Sequence, residues 1–407
     1  MITKVHIKNY RSLENVDLEL GRLTVLVGRN GSGKSSLVDA IKFVQDALLI
    51  GLEAAVASRN GFASLRRWSA KGRPYEIVIE ISVERGKFSG SYGFTIAGST
   101  EDDFRIKREV CSVVSADRIP STDSYEIQDG RWIKRPNEMQ ETVHSTEVSG
   151  DQMHVKQLSP KALYLPATRV MVNWLLERMY LSLVSSSFFS IYPNTMREPQ
   201  KFSTSRFMGH NGENFSAALR NLELGRKEPF AALLGALKRV VDDAADVRVK
   251  QVGGYLVTEI KHEYKTVTSA KSADDGSPWF DLSQESDGTV RMLGLLVGLY
   301  QDSASQALIA VEEPEVNIHP GALSVLAEVI EEVSERHQVL LTTQSPDFIS
   351  RFKAEDLRVV ERKQGSTRIG PIALSQLKAL EEELFTTGDL LRIEGLRTSD
   401  EENAQYA

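Results

Sequence analysis

Residues Gly28-Arg29-Asn30-Gly31-Ser32-Gly33-Lys34-Ser35 follow the spacing G-x-x-x-x-G-K-[ST], with Ser36 beside them. An apolar run, Leu23 to Val27, precedes the octapeptide, and Leu37, Val38, Ile41, Val44 and Leu48 follow at helical spacing. In that context the glycines let successive backbone N–H groups turn inward around phosphate oxygens. Asn30 lines the loop, Lys34 reaches the β and γ oxygens, and the Ser35 hydroxyl supplies a ligand to Mg²⁺. A second candidate lies far along the chain, where Leu308-Ile309-Ala310-Val311-Glu312-Glu313-Pro314 reads as an apolar strand ending in two carboxylates. Burying such a strand fixes the acids beside the phosphate loop. Glu312 can then hold Mg²⁺ through water, and Glu313 can orient and deprotonate an attacking water; the bland alternative is a strand end with solvated acids. ATP and Mg²⁺ are the expected cofactors.

The elements that must position these residues come from a chain of 407 residues, 41 % apolar and 26 % charged, enough for two or three domains. The single cysteine, Cys111, excludes an intramolecular disulfide framework and points to a reducing cytoplasm, with a buried small side chain as its plain role. No run reaches the ~18 apolar residues of a membrane span, and the amino terminus opens into an alternating strand, so no membrane is expected. A net charge of −7 argues against whole-surface attraction to nucleic acid and restricts any DNA contact to a local patch. Basic clusters occur at Arg131-Trp132-Ile133-Lys134-Arg135, from Arg197 to Arg206 and from Arg358 to Arg368; each alone reads first as a solvated face, with contact to nucleic-acid phosphates as the lesser alternative.

Alternation predicts strands over Ile2 to Ile7, Val16 to Leu20 and Leu23 to Val27, then a helix of about four turns from Ser35. From Tyr75 to about Val148 the pattern is antiparallel sheet, with a hairpin at Asp129-Gly130, and a short strand is expected at Ala162 to Leu165. Helical periodicity dominates from about 168 to 244, and alternation resumes from Gly254 to Tyr264. A helix after Gly288, a strand from Ala307 to Val311, a helix from Ala322 to Arg336 and a strand from Val339 to Thr342 predict a parallel crossover. The polar, acidic tail after about 390 is expected to fray.

Together these features carry a resemblance. Ile7-Lys8-Asn9-Tyr10-Arg11-Ser12-Leu13, the phosphate loop, Glu285-Ser286-Asp287-Gly288-Thr289, Glu312-Glu313-Pro314-Glu315 with Ile318-His319-Pro320, and Thr342-Thr343-Gln344-Ser345-Pro346 resemble the ABC-type ATPases of the RecF, SMC and OLD group. They are most similar to its bacterial AAA-family ATPases, many encoded beside toxins or nucleases in anti-phage modules. The resemblance implies an α/β ABC-type P-loop ATPase head with a mixed sheet, an antiparallel β side and a helical insertion. It divides the chain into an N-terminal head portion (1–165), an insertion (166–244), a C-terminal head portion (245–370) and a terminal helix and tail (371–407). It implies that Ser286 and Gly288 form a signature loop acting on the nucleotide of a second subunit, so that the protein is a homodimer or higher homo-oligomer bridged by ATP; a plain helix cap is the alternative.

Gln344 stands where many relatives have histidine. Glutamine can donate and accept a hydrogen bond but cannot hold a charge, which implies slow or partner-dependent hydrolysis. Arg11 matches a basic residue near the nucleotide, or is a surface charge. His319 falls on an intersubunit loop, or simply starts a helix. No residue matches the glutamine of an ABC Q-loop.

Three functions compete. The first is an ATPase acting as sensor or scaffold for a separately encoded effector, a nuclease or toxin, in anti-phage defence, since the tail is too short for an OLD-type nuclease domain. The second is a RecF-like ATP-dependent DNA-binding protein in repair. The third, a transporter nucleotide-binding subunit, is disfavoured because Ser286-Asp287-Gly288-Thr289 departs from Leu-Ser-Gly-Gly-Gln.

Overall fold

The structure, a computed structural model, describes residues 1–68, 72–117, 120–137, 159–169, 173–263, 278–301 and 307–399. Along them the strands are β1 (Ile2–Tyr10), β2 (Leu13–Glu19), β3 (Leu23–Val27), β4 (Glu76–Arg85), β5 (Phe88–Gly98), β6 (Phe104–Ser115), β7 (Ser121–Gln128), β8 (Arg131–Lys134), β9 (Ser187–Phe189), β10 (Gln200–Lys201), β11 (Ala244–Val252), β12 (Tyr255–His262), β13 (Trp279–Asp281), β14 (Ile309–Glu312), β15 (Val339–Thr343), β16 (Leu357–Lys363) and β17 (Ser366–Gly370). The chain forms two compact units, one from Met1–Ser186, Arg358–Gln376 and Leu396–Ala407, the other from Ser187–Leu357 and Leu377–Gly395.

In the first unit the strands run in the order β8-β7-β6-β5-β4-β1-β2-β17-β16-β3. From β8 to β2 every neighbouring pair is antiparallel, whereas β17 meets β2 in parallel. The alternation read from the sequence becomes burial: Ile77, Ile79, Ile81 and Val83 of β4 point inward and the residues between them do not. All five residues of β3 are buried, as its continuous apolar run requires. Asp129 and Gly130 both have positive φ, 47° and 73°, the geometry that joins β7 to β8 in a two-residue hairpin. The helix Lys34–Leu49 buries its apolar stripe, and Phe43 on that stripe lies 5.8 Å from Tyr10 and 6.1 Å from Phe94, ring to ring.

Two expectations are corrected, one in this unit and one that reaches into the second. No strand forms at Ala162 to Leu165; instead Leu165–Arg169 is a 3₁₀ helix. The N–H groups of Tyr164 and Leu165 donate to the Glu109 carboxylate, at 2.7 and 3.0 Å, rather than to a neighbouring strand. The tail holds its structure from 390 to 399, while residues 400–407, on which the expectation also falls, lie outside the described residues. Thr386 and Asp389 close a capping box on the helix Thr387–Ile393, and Ala373 N donates to Arg397 O at 2.8 Å.

In the second unit, β9, β14 and β15 are parallel, and the helix Leu323–Ser334 links β14 to β15 as the predicted crossover. The segment from 168 to 244 holds the helices Trp174–Val184, Pro193–Arg197, Phe215–Gly225 and Lys227–Val240, but also β9 and β10. A second, antiparallel sheet is built of β10, β12 and β11, with β13 paired to β12. Among the described residues no helix is long and apolar enough to cross a membrane.

Candidate nucleotide site

In the first unit β3 runs directly into the glycine-rich loop. Gly31 and Gly33 take φ of 73° and 117°, conformations that L side chains resist, and Gly33 precedes the helix Lys34–Leu49. The loop also lies hard against its support: a Cβ at Gly28 would sit 2.2 Å from Val360 O, and one at Gly33 would sit 2.2 Å from Thr367 Oγ1. Thr367 Oγ1 is 2.8 Å from Ser32 O and 2.9 Å from Ser12 Oγ, and Ser12 Oγ donates to Ser36 Oγ at 3.2 Å. Hydroxyl groups of β17 and of the β1–β2 turn thus brace the loop from behind.

Lys34 is buried, and its Nζ donates to Gly28 O at 2.7 Å, folding the ammonium over the loop. Asn30, Gly31 and Ser35 stand exposed at the rim. The first N–H groups of the helix have no acceptor within it, and the Ser32 hydroxyl is buried without a hydrogen-bond partner. A lysine, an exposed serine at a helix amino end and a concave run of N–H groups fit a triphosphate with Mg²⁺. Arg11, itself at φ 49°, is 3.0 Å from Asp39 Oδ2. Asp39 also accepts from Arg59 Nε at 2.9 Å and Tyr10 OH at 2.6 Å, so Arg11 belongs to an ion cluster on the helix that follows the loop.

In the second unit β14 delivers the acids. Glu312 ends the strand, half-buried, opposite Thr342 of β15. Glu313 has φ 44°, a left-handed backbone that costs a non-glycine residue ~1–3 kcal/mol and must be held by its surroundings. Its N–H donates to Thr342 O at 2.9 Å, and its carbonyl accepts from Arg291 Nη2 at 2.8 Å. Glu315 Oε1 accepts from Thr343 Oγ1 at 2.5 Å and from Gln344 N at 3.2 Å, while the Gln344 side chain is exposed.

Ser286 caps the helix Asp287–Tyr300, its Oγ accepting from Thr289 N at 3.1 Å, and it is exposed. Gly288 is explained by close approach, because a Cβ there would lie 2.7 Å from Asn317 O. His319 accepts from Gly321 N at 3.1 Å and so caps the short 3₁₀ turn Pro320–Ala322. Within this unit, therefore, the Ser286 helix touches the acidic strand end twice, through Gly288 on Asn317 and through Arg291 on Glu313.

The profile of the family described as "AAA domain, putative AbiEii toxin, Type IV TA system" matches residues 23–350. The chain belongs to this family. It is 22 % identical over 384 residues to the Old nuclease of Escherichia phage P2, covering 90 % of this chain and 60 % of that protein. Shorter stretches are similar to the OLD nuclease of Thermus scotoductus (48 % over 44 residues, 11 % of this chain and 8 % of that one) and to structural maintenance of chromosomes protein 6 of Saccharomyces cerevisiae (36 % over 99 residues, 24 % and 8 %). Among solved structures, an SMC head bound to the C-winged helix domain of ScpA aligns with a TM-score of 0.49 at 17 % identity, over 93 % of this chain and 99 % of that one. The SMC head domain from Thermotoga maritima aligns at 0.42 and 12 %, over 92 % and 99 %. The family and the phage relative place the chain among the ABC-type ATPases of the OLD and SMC group.

Several supporting residues escaped the sequence. Thr367 lies more than three hundred positions from the loop it braces, and nothing in its strand marks it. Arg291, not singled out in the sequence, is buried and donates to two backbone carbonyls, those of Ile191 and Glu313. Arg197 lay in a basic cluster read as a nucleic-acid patch or a solvated face, but it is bound to the segment that leads into Ser286.

Proposed function

We propose that the chain binds Mg²⁺-ATP at Gly28–Ser36, hydrolyses it, and assembles with further copies through nucleotide-bridged interfaces, as a sensor or scaffold for a separately encoded effector in anti-phage defence. The observation that carries the reading is the loop itself: left-handed Gly31 and Gly33 ahead of a buried Lys34 at a helix amino end. Bound there, the nucleotide supplies a phosphoryl group whose transfer to water is made feasible by charge neutralisation and positioning. Lys34 would supply the ammonium and Ser35 a hydroxyl ligand to Mg²⁺ at the loop of the first unit, and the role this reading gives Glu312 is that of a carboxylate suited to the hydration shell of such an ion. Glu313 takes the proton from water, its carboxylate aimed by a backbone held at both N–H and carbonyl. Gln344 can orient but cannot ionise, which favours slow turnover. Ser286, exposed at the start of a 14-residue helix, is the group offered to the nucleotide of another copy. The chain spans 60 % of the length of the phage P2 relative, and the nuclease activity in that relative's name is assigned in this reading to the separate effector.

The test is equilibrium nucleotide binding together with mass photometry in ATP, ADP and no nucleotide. Lys34→Ala should abolish binding. Glu313→Gln should keep ATP bound, hold the assembled state, and slow turnover by on the order of 10²–10³. Normal turnover in Glu313→Gln, an oligomer indifferent to ATP, or degradation of DNA by the protein alone with Mg²⁺ would each refute a stated part of the reading.

A further inference from the structure

The segment that leads into Ser286 is gripped by two cations from elsewhere in the second unit. His262, at the end of β12, has Nε2 2.8 Å from Glu285 Oε1 and Nδ1 3.0 Å from Asp243 Oδ1. Ionised carboxylates only accept, so both ring nitrogens must carry hydrogen for both bonds to exist, and the ring must be an imidazolium. The Glu285 side chain is only 9 % exposed and that of His262 11 %, so the Glu285 bond is not readily replaced by water, whereas Asp243, 53 % exposed, holds the other ring nitrogen from the solvent side. Phe280 of β13 closes the edge of the imidazole at 5.5 Å. Arg197 takes the backbone of the same segment: Nη2 donates to Glu285 O at 2.7 Å and Nε to Leu282 O at 3.3 Å, while Nη1 is 2.5 Å from Asp287 Oδ1. Residues on both sides of Ser286 are thereby fixed to β12 and to the helix Pro193–Arg197.

We propose that His262 and Arg197 are positioning residues that hold the Ser286 loop ready for the nucleotide of a second copy, and that nucleotide-driven assembly weakens as His262 gives up its proton. This rests on the reading of Ser286 as a group that acts across the interface. The groups facing the imidazole among the described residues are Glu285 from the turn before the Ser286 helix, Asp243 from the residues before β11, and the Phe280 ring from β13. Burial opposes the imidazolium, but the hydrogen bonds and charges of the two acids outweigh it and raise the His262 pKa above the ordinary 6.5. The clasp is therefore complete at pH 6 and is lost as pH climbs through the raised value. A neutral ring keeps one donor, and one acid then faces a lone pair.

The experiment measures self-association of the protein with a non-hydrolysable ATP analogue from pH 6 to pH 9 at constant ionic strength, with analogue affinity followed in parallel at a protein concentration too low for self-association, so that linkage to assembly does not enter it. Wild type should weaken by about tenfold or more across that range, the loss of one charge-assisted hydrogen bond. His262→Gln and Glu285→Gln should be weak at pH 6 and flat with pH, and Arg197→Lys weak at pH 6, all with analogue affinity unchanged. A wild-type profile in His262→Gln and Glu285→Gln overturns the proposal, as does loss of analogue affinity in either. Ser286→Arg separates the two ideas. If it assembles normally, the cross-interface reading of Ser286 is wrong; if it fails to assemble while His262→Gln behaves as wild type, only the clasp is wrong.

Discussion

Gly33→Ala isolates what the phosphate loop requires of its support. Two costs are expected from the structure. At φ 117° an alanine pays backbone strain of ~1–3 kcal/mol, since this region is close to glycine-only. Its Cβ would also lie 2.2 Å from Thr367 Oγ1, 2.7 Å from Thr367 Cγ2 and 2.9 Å from Ser12 Oγ. Thr367 is short, branched at Cβ and bonded to Ser32, so it cannot swing away as the end of a lysine would. Forced overpacking of this kind costs ~1–3 kcal/mol. Together the terms come to ~2–6 kcal/mol, about 4 kcal/mol at the middle of that range, which for a unit of this size lowers Tm by about 8–16 °C. Nucleotide binding should fail as well, because the strain is relieved by moving the loop. Gly31→Ala is the control: φ is 73°, but nothing lies within 4 Å of the added methyl, so only strain is felt and the melting shift should be less than half as large. Adding Thr367→Ala to Gly33→Ala should recover part of the lost Tm. Scanning calorimetry and titration with a fluorescent ATP analogue read both quantities. A Gly33→Ala protein that melts and binds like wild type would refute the argument that Thr367 enforces glycine at this position.

Two further outcomes follow from the buried ionic groups. Glu109, fully buried, accepts from the hydroxyls of Tyr92 and Tyr125 and from two backbone N–H groups; burial, the largest influence, raises its pKa above the ordinary 4.5 despite those donors. A raised carboxyl pKa contributes stability that is complete below about pH 4.5 and is lost as pH rises through the folded-state value. The difference in unfolding free energy between wild type and Glu109→Gln should therefore drift against wild type as pH increases above that point, and a pH-independent difference in urea titrations would contradict it. Arg291→Met should cut turnover while leaving analogue affinity in place, and should destabilise by ~1–3 kcal/mol because the Ile191 carbonyl loses this buried donor and the Glu313 carbonyl keeps only Val316 N at 3.3 Å, whereas unchanged turnover would show that Glu313 holds its left-handed backbone without help.

The glycine-rich loop, the acidic strand end and the β14–helix–β15 crossover were legible because each is local. A run of glycines before a lysine, or an apolar strand before two acids, has its meaning within about ten residues. What braces those features was not legible. Thr367 and Val360 support the loop from a hairpin near the other end of the sequence, and neither residue type hints at the role. His262 carried no signal because its partners, Asp243 and Glu285, sit at no recognisable spacing from it. The strand expected at Ala162 to Leu165 failed for the same reason in reverse. Its apolar pattern was real, but a distant carboxylate, Glu109, captured the N–H groups that a sheet would have used.

The same distance between motif and support sets where damage spreads. The first unit takes β17 and all but the first residue of β16 from after the long Ser187–Leu357 stretch of the second unit, and Val360 and Thr367 are the residues against which Gly28 and Gly33 are packed. A phosphate loop whose sequence is intact is thus only as well formed as a hairpin translated more than three hundred residues later. The octapeptide specifies which groups can meet a phosphate. Val360 O and the Thr367 hydroxyl decide whether the backbone curves tightly enough to present them, because both sit where any side chain larger than hydrogen would have to go. In the second unit Arg291 plays the matching part for Glu313, tying a strained backbone to the helix that begins at Ser286. Chemistry in this chain is written in short motifs, and geometry is imposed on them from afar.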